Sequence, residues 1–495
     1  MQIALVPLDE RPANTRYPQM IAAMGRAHLI LPPSERLSHF RDAASPDGLA
    51  QWIQDVAPTS DALIVSIEML VYGGLIASRI GHEPLEVLRP RLTLLRDLHR
   101  QYPNLKIYAF NVITRISRHN DATEEPDYWA AHGNALFQLS QAMHRVRLGI
   151  IPQESVDIAA QAIPPDHIAD FTARRKRNNA INRTVLELAG EGVFDLLVLS
   201  SDDTSEFGLG AEEKRQLATI ATTLGLGDDR LLMYPGADEV GSVLVARLLL
   251  QAAERQPKIE PFYLVEQDIA AIAPFEDVPI YASVSRQIKA VGATEATEGG
   301  DVLLVVNPPV SSTAEWVTDQ EGDAHLIRRL VEFNDKMLQL YHQTAGWCCF
   351  AVADVAYANG GSMELVRQLS KYHLFGNIGA YSAWNTAGNT LGTTLAHSVL
   401  WQLPNYDAEA GKRFLAHRWL EDWGYQTLNR HKARLWLWRE HRTHELRPDL
   451  IPELSLKVEH WLATAGDLIG LNYRAVNVRF PWGRTFEVDF DLVPR

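Results

Sequence analysis

The sequence predicts an α/β fold, and two patterns carry that reading. Short, continuous apolar runs recur through the first 255 residues, and segments of helical periodicity separate them. Uninterrupted apolar strands are expected of a parallel sheet covered on both faces, and strand–helix alternation is expected of an α/β layer structure.

The predicted strands of the first part are Ile3–Leu8, His28–Leu31, Ala62–Ile67, Lys106–Val112, Leu196–Ser200 and Leu231–Tyr234. Amphipathic segments such as Leu85–Arg100 and Glu212–Leu224 lie between several of them. From Arg118 to Phe194 the rhythm breaks into a polar, helical stretch, clearest at Ala130–Arg147 and Ile168–Leu188. Such a stretch reads as a cap or lid, or equally as packing helices. The pattern restarts after Arg255 with strands at Phe262–Val265, Val302–Val306, Phe350–Ala353 and Asn377–Tyr381, and a helix at Leu326–His342. From about Trp401 the chain is helical and Trp-rich, and it ends in a strand-like tail near Arg474–Val488.

About ten strands exceed the eight of a single barrel, so two doubly wound lobes plus a helical C-terminal region are expected. The alternative is a distorted TIM-like (β/α)8 barrel with insertions. The corresponding domains are 1–255, carrying the helical insertion at about 118–194, then 256–400, then a helical region 401–495. No internal repeat is evident.

Composition narrows the function. The 495 residues are 46% hydrophobic and 22% charged, which excludes a disordered chain. Sixty-one acidic against 47 basic residues give a net charge of −14, which argues against nucleic acid and membrane surfaces as partners. The two cysteines, Cys348 and Cys349, are adjacent in an apolar run and read as small core residues. No basic leader precedes an apolar stretch and no long apolar window is present, so a cytoplasmic protein is expected. The basic runs Arg174–Arg177 and Arg430–Arg442 read as solvated helix faces.

The chemistry-bearing residues follow the predicted strands, where α/β sheets and barrels bind their ligands. Asp9, Glu10, Arg11 and Asn14 follow the first strand; Glu68, Tyr72 and Arg79 the third; Arg115 the fourth. Asp202 and Asp203 follow the fifth strand, and Asp238 and Glu239 the sixth. Asp354 ends a later strand, and Tyr381 leads into Trp384, Asn385 and Asn389. Any one acid in such a place is commonly a helix cap, but many converging on one rim point to a site.

Asp202–Asp203 is the sharpest element, because adjacent carboxylates repel and one is driven toward its neutral form. Asp202, Asp203, Asp238 and Glu239 are the candidate catalytic residues. Asp9, Arg11, Asn14, Tyr72, Arg79, Arg115, Asp354, Tyr381, Trp384, Asn385 and Asn389 are the candidate substrate-binding residues. Trp384 and Tyr381 are read as stacking surfaces, and the glycine-containing turn Asn385–Thr390 as a helix N-terminus with free N–H groups. No phosphate-binding glycine loop, nucleophile elbow or H-E-x-x-H motif occurs.

Together, Pro7-Leu8-Asp9-Glu10-Arg11-Pro12, Tyr72-Gly73-Gly74-Leu75 with Ser78-Arg79, Gly236-Ala237-Asp238-Glu239, Trp384-Asn385-Thr386-Ala387-Gly388-Asn389-Thr390 and Glu421–Gln426 resemble a bacterial family labelled only as a domain of unknown function. The chain departs from that pattern at Glu10 and Glu68, where Asp is expected; both changes keep the charge. Asp202-Asp203 alone resembles glycosidases that are assisted by a substrate acetamido group. That likeness implies Asp203 as general acid and Asp202 as the residue orienting the acetamido group.

The expected activity is hydrolysis of a polar, hydroxylated small molecule or glycan by a glycosidase without a cofactor. Asp203 would protonate the leaving oxygen, and Asp202 or Asp238 would act as base, nucleophile or orienting carboxylate. One alternative gathers Asp9, Asp202, Asp203, Asp238 and Asp354 around Mg²⁺ or Mn²⁺ for hydrolysis or isomerisation. The other is a non-catalytic carbohydrate or metabolite binding protein.

Overall fold

A computed structural model describes residues 1–309, 324–343 and 349–495. Its first six strands are β1 (Gln2–Val6), β2 (His28–Ile30), β3 (Ala62–Ser66), β4 (Lys106–Ile113), β5 (Leu196–Ser201) and β6 (Leu231–Pro235). They form one parallel sheet in the order β2-β1-β3-β4-β5-β6. The next five are β7 (Lys258–Tyr263), β8 (Thr294–Glu295), β9 (Val302–Asn307), β10 (Phe350–Asp354) and β11 (Ile378–Ser382). They form a second parallel sheet, ordered β11-β10-β9-β7-β8. The last two, β12 (Tyr473–Arg479) and β13 (Asp489–Pro494), pair antiparallel.

The α/β class is therefore that of the sequence reading. Both parallel sheets share one connectivity: the second strand lies to one side of the first, and the third and later strands lie to the other. In such sheets the order reverses beside the first strand, and ligands bind outside the carboxyl ends of the strands there. Consecutive residues of β3, β5, β9 and β10 are buried, so both faces of each sheet are covered. This is why these strands read as unbroken apolar runs.

The chain divides into two compact units, one of Met1–Glu10 with His28–Gly241, the other of Arg11–Ala27 with Ser242–Arg495. Within the first unit, the stretch after β4 is a crossover to its neighbour β5. Its long helix, Pro165–Gly190, places Ile181, Val185, Leu186 and Leu188 in the core beneath the sheet. Packing, rather than a lid, is what this helix does. Its basic run corrects the solvated-face reading, because Arg174 and Arg175 are buried.

Within the second unit, the helix Arg16–Met24 belongs with Ala408–Arg418, and Asp407 N–H donates to the Met24 carbonyl at 2.7 Å. Here Arg418, fully buried, lies over the Tyr17 ring at 3.9 Å and donates to Asp422 at 2.8 Å. The π-helical stretch Trp419–Thr427 follows, and from it Asp422 also accepts the Ala383 N–H at 2.8 Å, just past β11. Cys349 is buried and unbridged; Cys348 lies outside the described residues. Among the described residues no helix is long and apolar enough to cross a membrane.

Candidate functional site

The first unit gathers two arginines and four carboxyl groups at the carboxyl end of its sheet. Asp202 continues the β5–β4 ladder, its N–H donating to the Ile113 carbonyl at 3.2 Å. Thr114 and Arg115, just past β4, therefore stand beside Asp202 and Asp203. Asp203 turns the backbone sharply, with φ at +40°, a region that side-chain-bearing residues rarely occupy and that tends to cluster at functional sites.

Arg115 reaches three acids: Glu125 at 2.9 Å, Asp203 at 3.1 Å and Glu124 at 3.2 Å. Arg79 bridges Glu124 at 2.7 Å and Asp202. Both arginines were expected to hold substrate; here they hold the carboxylates. Their own placement follows from the crossover helix. Arg175 donates to the Thr114 carbonyl at 2.8 Å, while Arg177 and Asn178 donate to the Ser78 carbonyl at 3.0 and 2.9 Å. Arg41 fixes the opposite loop through the carbonyls of Ala122 and Glu125 at 2.6 and 3.0 Å.

The turn before Arg79 depends on glycine. Gly73 has φ at +85°, and a Cβ there would lie 2.6 Å from the Ala44 carbonyl oxygen. Tyr72, expected near the substrate, is buried with the Arg177 guanidinium over its ring at 5.2 Å.

Burial and the neighbouring Asp202 charge push Asp203 up to about 6, against the pull of Arg115 and Arg79. A quarter of the Asp203 side chain, 25%, is nonetheless exposed, so the carboxyl is within reach of a ligand. Burial also raises Glu125, with Arg115 opposing.

Beneath this rim Glu68 is 1% exposed. Its Oε1 accepts from Asn111 Nδ2 at 2.7 Å and Val112 N–H at 2.8 Å, and Ser66 Oγ lies 3.3 Å from Oε2. Burial still pushes it up to about 7. The folded state thus binds a proton that the unfolded chain releases near pH 4.5, so stability falls as pH rises from there through about 7. A shift of this size is on the order of 3 kcal/mol. Glu68→Gln keeps the acceptor for Asn111 and gives Ser66 a donor, and should flatten that part of the stability–pH curve. Thermal midpoints measured from pH 4.5 to 8 would show it; a slope unchanged in the variant would contradict the assignment.

The second acidic pair sits at the end of the adjacent strand, where Gly236 N–H donates to the Ser201 carbonyl at 3.0 Å. Glu239 is 1% exposed and folds back to accept the Ala237 N–H at 2.9 Å. It closes over Gly236, whose φ is +142° and where a Cβ would meet Glu239 Oε1 at 2.1 Å. Glu239 thus acts as a local latch, and Asp238 beside it is buried. At the end of β1, Asp9 is buried, and Glu10 accepts from Ser38 Oγ and Phe40 N–H, both at 2.6 Å.

The remaining candidates lie in the second unit. Arg11 is 3.9 Å from Glu487 and packs on the Trp482 ring at 4.4 Å, and Asn14 is buried in the turn that follows it. Asp354 is buried, accepting from Asn307 Nδ2 at 2.7 Å and Ser362 N–H at 2.6 Å. Tyr381 is a core ring stacked on Trp419 at 3.6 Å, which corrects its reading as a ligand platform. Trp384 is 5% exposed, edge-on to Tyr17, with its indole N–H donating to Thr393 at 3.2 Å. Asn385 has φ at +54° and Asn389 is buried. At the helix N-terminus beside them, read as having free N–H groups, the Gly388 N–H is taken: it donates to Glu276 at 2.8 Å.

Sequence reasoning missed Glu124 and Glu125. The one available signal was an acidic doublet before Pro126, at the start of what read as an insertion. Among the described residues no group of three or more His, Cys, Asp or Glu is arranged to hold a metal ion.

Fold and rim define an α/β protein whose first sheet ends in an arginine-braced cluster of carboxyl groups. The chain belongs to the family described as "Protein of unknown function (DUF4127)", whose model matches residues 3–491. No curated protein and no solved structure matches it.

Proposed function

We propose that this chain is a hydrolase of polar, hydroxylated substrates, a glycosidase, with Asp203 as general acid and Asp202 as its carboxylate partner. The observation that carries this reading is the contrast between two adjacent acids. Asp202 is ion-paired to Arg79 and Asp203 to Arg115, but burial and the Asp202 charge push Asp203 toward its neutral form, and it remains partly exposed. Neighbouring carboxyls in different environments are how a site keeps an acid and a base at one pH.

In the step so assigned, Asp203 gives its proton to the leaving oxygen as the C–O bond breaks. Water then supplies hydroxide to the carbon and a proton back to the carboxyl pair. Glu124, Glu125, Arg79 and Arg115 are positioning residues that hold the pair in place.

The test is a panel of chromogenic glycosides, N-acetylhexosaminides included, with wild type, an EDTA-treated sample and Asp203→Asn in parallel. Hydrolysis that survives EDTA and disappears in Asp203→Asn is expected. Hydrolysis lost to EDTA would overturn the reading in favour of metal chemistry, and saturable binding without turnover would overturn it in favour of a binding protein.

A further inference from the structure

The second unit has a cleft that this activity does not use. The helices Arg16–Met24 and Ala408–Arg418 and the strand β13 wall it, and its volume is about 310 Å³. That is at the lower end of the range of about 300–1,000 Å³ usual for small-molecule sites. Met20, Phe490 and Leu492 give it an apolar lining, and His417, Arg16, Arg413 and Asp491 are its charged or titratable groups.

His417 supplies the second observation. It is 1% exposed, stacked on Phe490 at 4.4 Å, and burial beside Arg418 pushes it far below its ordinary range, so the ring is neutral. Arg418 Nη2 lies 2.9 Å from Nδ1 and can only donate, so the ring proton sits on Nε2. That buried N–H has no hydrogen-bond partner among the described residues. Buried donors are rarely left this way, and such a group in a cleft points to an acceptor on a ligand.

The charges give the sign of that acceptor. Asp491 is engaged by Arg16 at 2.8 Å and by Arg479 at 3.1 Å. Arg413 donates to the Leu492 carbonyl at 2.9 Å and is otherwise exposed to solvent. Arg16 also meets Asp489 at 3.3 Å, so its charge is matched, and the positive charge the lining offers a ligand is that of Arg413.

We propose that this cleft binds a small organic anion, a carboxylate on an apolar body. The carboxylate meets Arg413 and His417 Nε2–H, and the body rests on Met20 and Ala23, the accessible apolar groups of the lining. The inference is independent of the hydrolase reading.

The test is calorimetric titration of the full chain with 3-phenylpropanoate and hexanoate, beside 3-phenylpropanol and 3-phenylpropylamine. Saturable binding of the carboxylates is expected, weakened about tenfold or more by Arg413→Ala and by the change to the alcohol. Ala23→Phe, at an exposed position lining the cleft, should remove binding altogether. Circular dichroism checks that both variants fold; both substitutions are at solvent-exposed positions, and either alone suffices for the test. No saturable carboxylate binding, binding unchanged in either variant, or an amine binding as tightly would overturn the proposal.

Discussion

Asp203→Asn should lower the rate of hydrolysis by about 10²- to 10⁴-fold, the usual contribution of a positioned general acid. The fold should survive, because the side chain is a quarter exposed and the amide keeps its shape and an oxygen for Arg115. The pH profile gives the sign. A general acid must be protonated, so with Asp203 near 6 the rate should fall as pH rises through that value. Arg115→Met removes a cation that pulls Asp203 downward, and should move the alkaline limb to higher pH. A limb that stays in place would show that Asp203 does not set it. Asp203→Asn retaining most of the wild-type rate would end its role as the acid.

The largest effect on stability is expected from Asp422→Ala. Arg418 has no exposed surface, and Asp422 at 2.8 Å is its nearest acid, with Glu421 at 3.5 Å. Removing one partner of a buried ion pair leaves a charge in a medium that solvates it poorly, at a cost of about 3–5 kcal/mol. The same change removes the acceptor of the Ala383 N–H and unties the π-helical stretch from the end of β11. Replacing all three groups, Arg418→Met with Asp422→Leu and Glu421→Gln, should cost less, because no charge is then stranded. Thermal unfolding would read the difference. A single variant as stable as wild type, or a triple variant worse than the single one, would contradict this picture.

How far the sequence revealed the molecule depended on whether a signal was local. Strands such as Ala62–Ser66 and Val302–Asn307 were legible because burial on both faces makes every residue apolar. The β7 strand was predicted several residues late, since Glu260 and Pro261 interrupt its apolar pattern, and β8 has only two exposed residues to show. Asp202, Asp203, Arg79 and Arg115 were visible from their positions after strands. Their partners Glu124 and Glu125 were not, because a loop brings them in and no periodicity marks it.

Charge misled where tertiary contacts decide. Arg174–Arg177 read as a wet helix face, yet it tethers the loops that carry Arg79 and Arg115. Tyr381 and Trp384 read as platforms, yet aromatic rings near strand ends serve a core as readily as a ligand. The segment Arg11–Ala27 follows β1 without any break in pattern, so nothing local placed it with the second unit.

The most direct measurement is the titration of Asp203 itself. With aspartate labelled by ¹³C at the side-chain carboxyl, its resonance would be assigned by its loss in Asp203→Asn and followed by NMR from pH 3 to 9. The account predicts a midpoint near 6, falling when Asp202→Asn removes the adjacent charge. A midpoint below about 4, the range of an unperturbed aspartate, would contradict it.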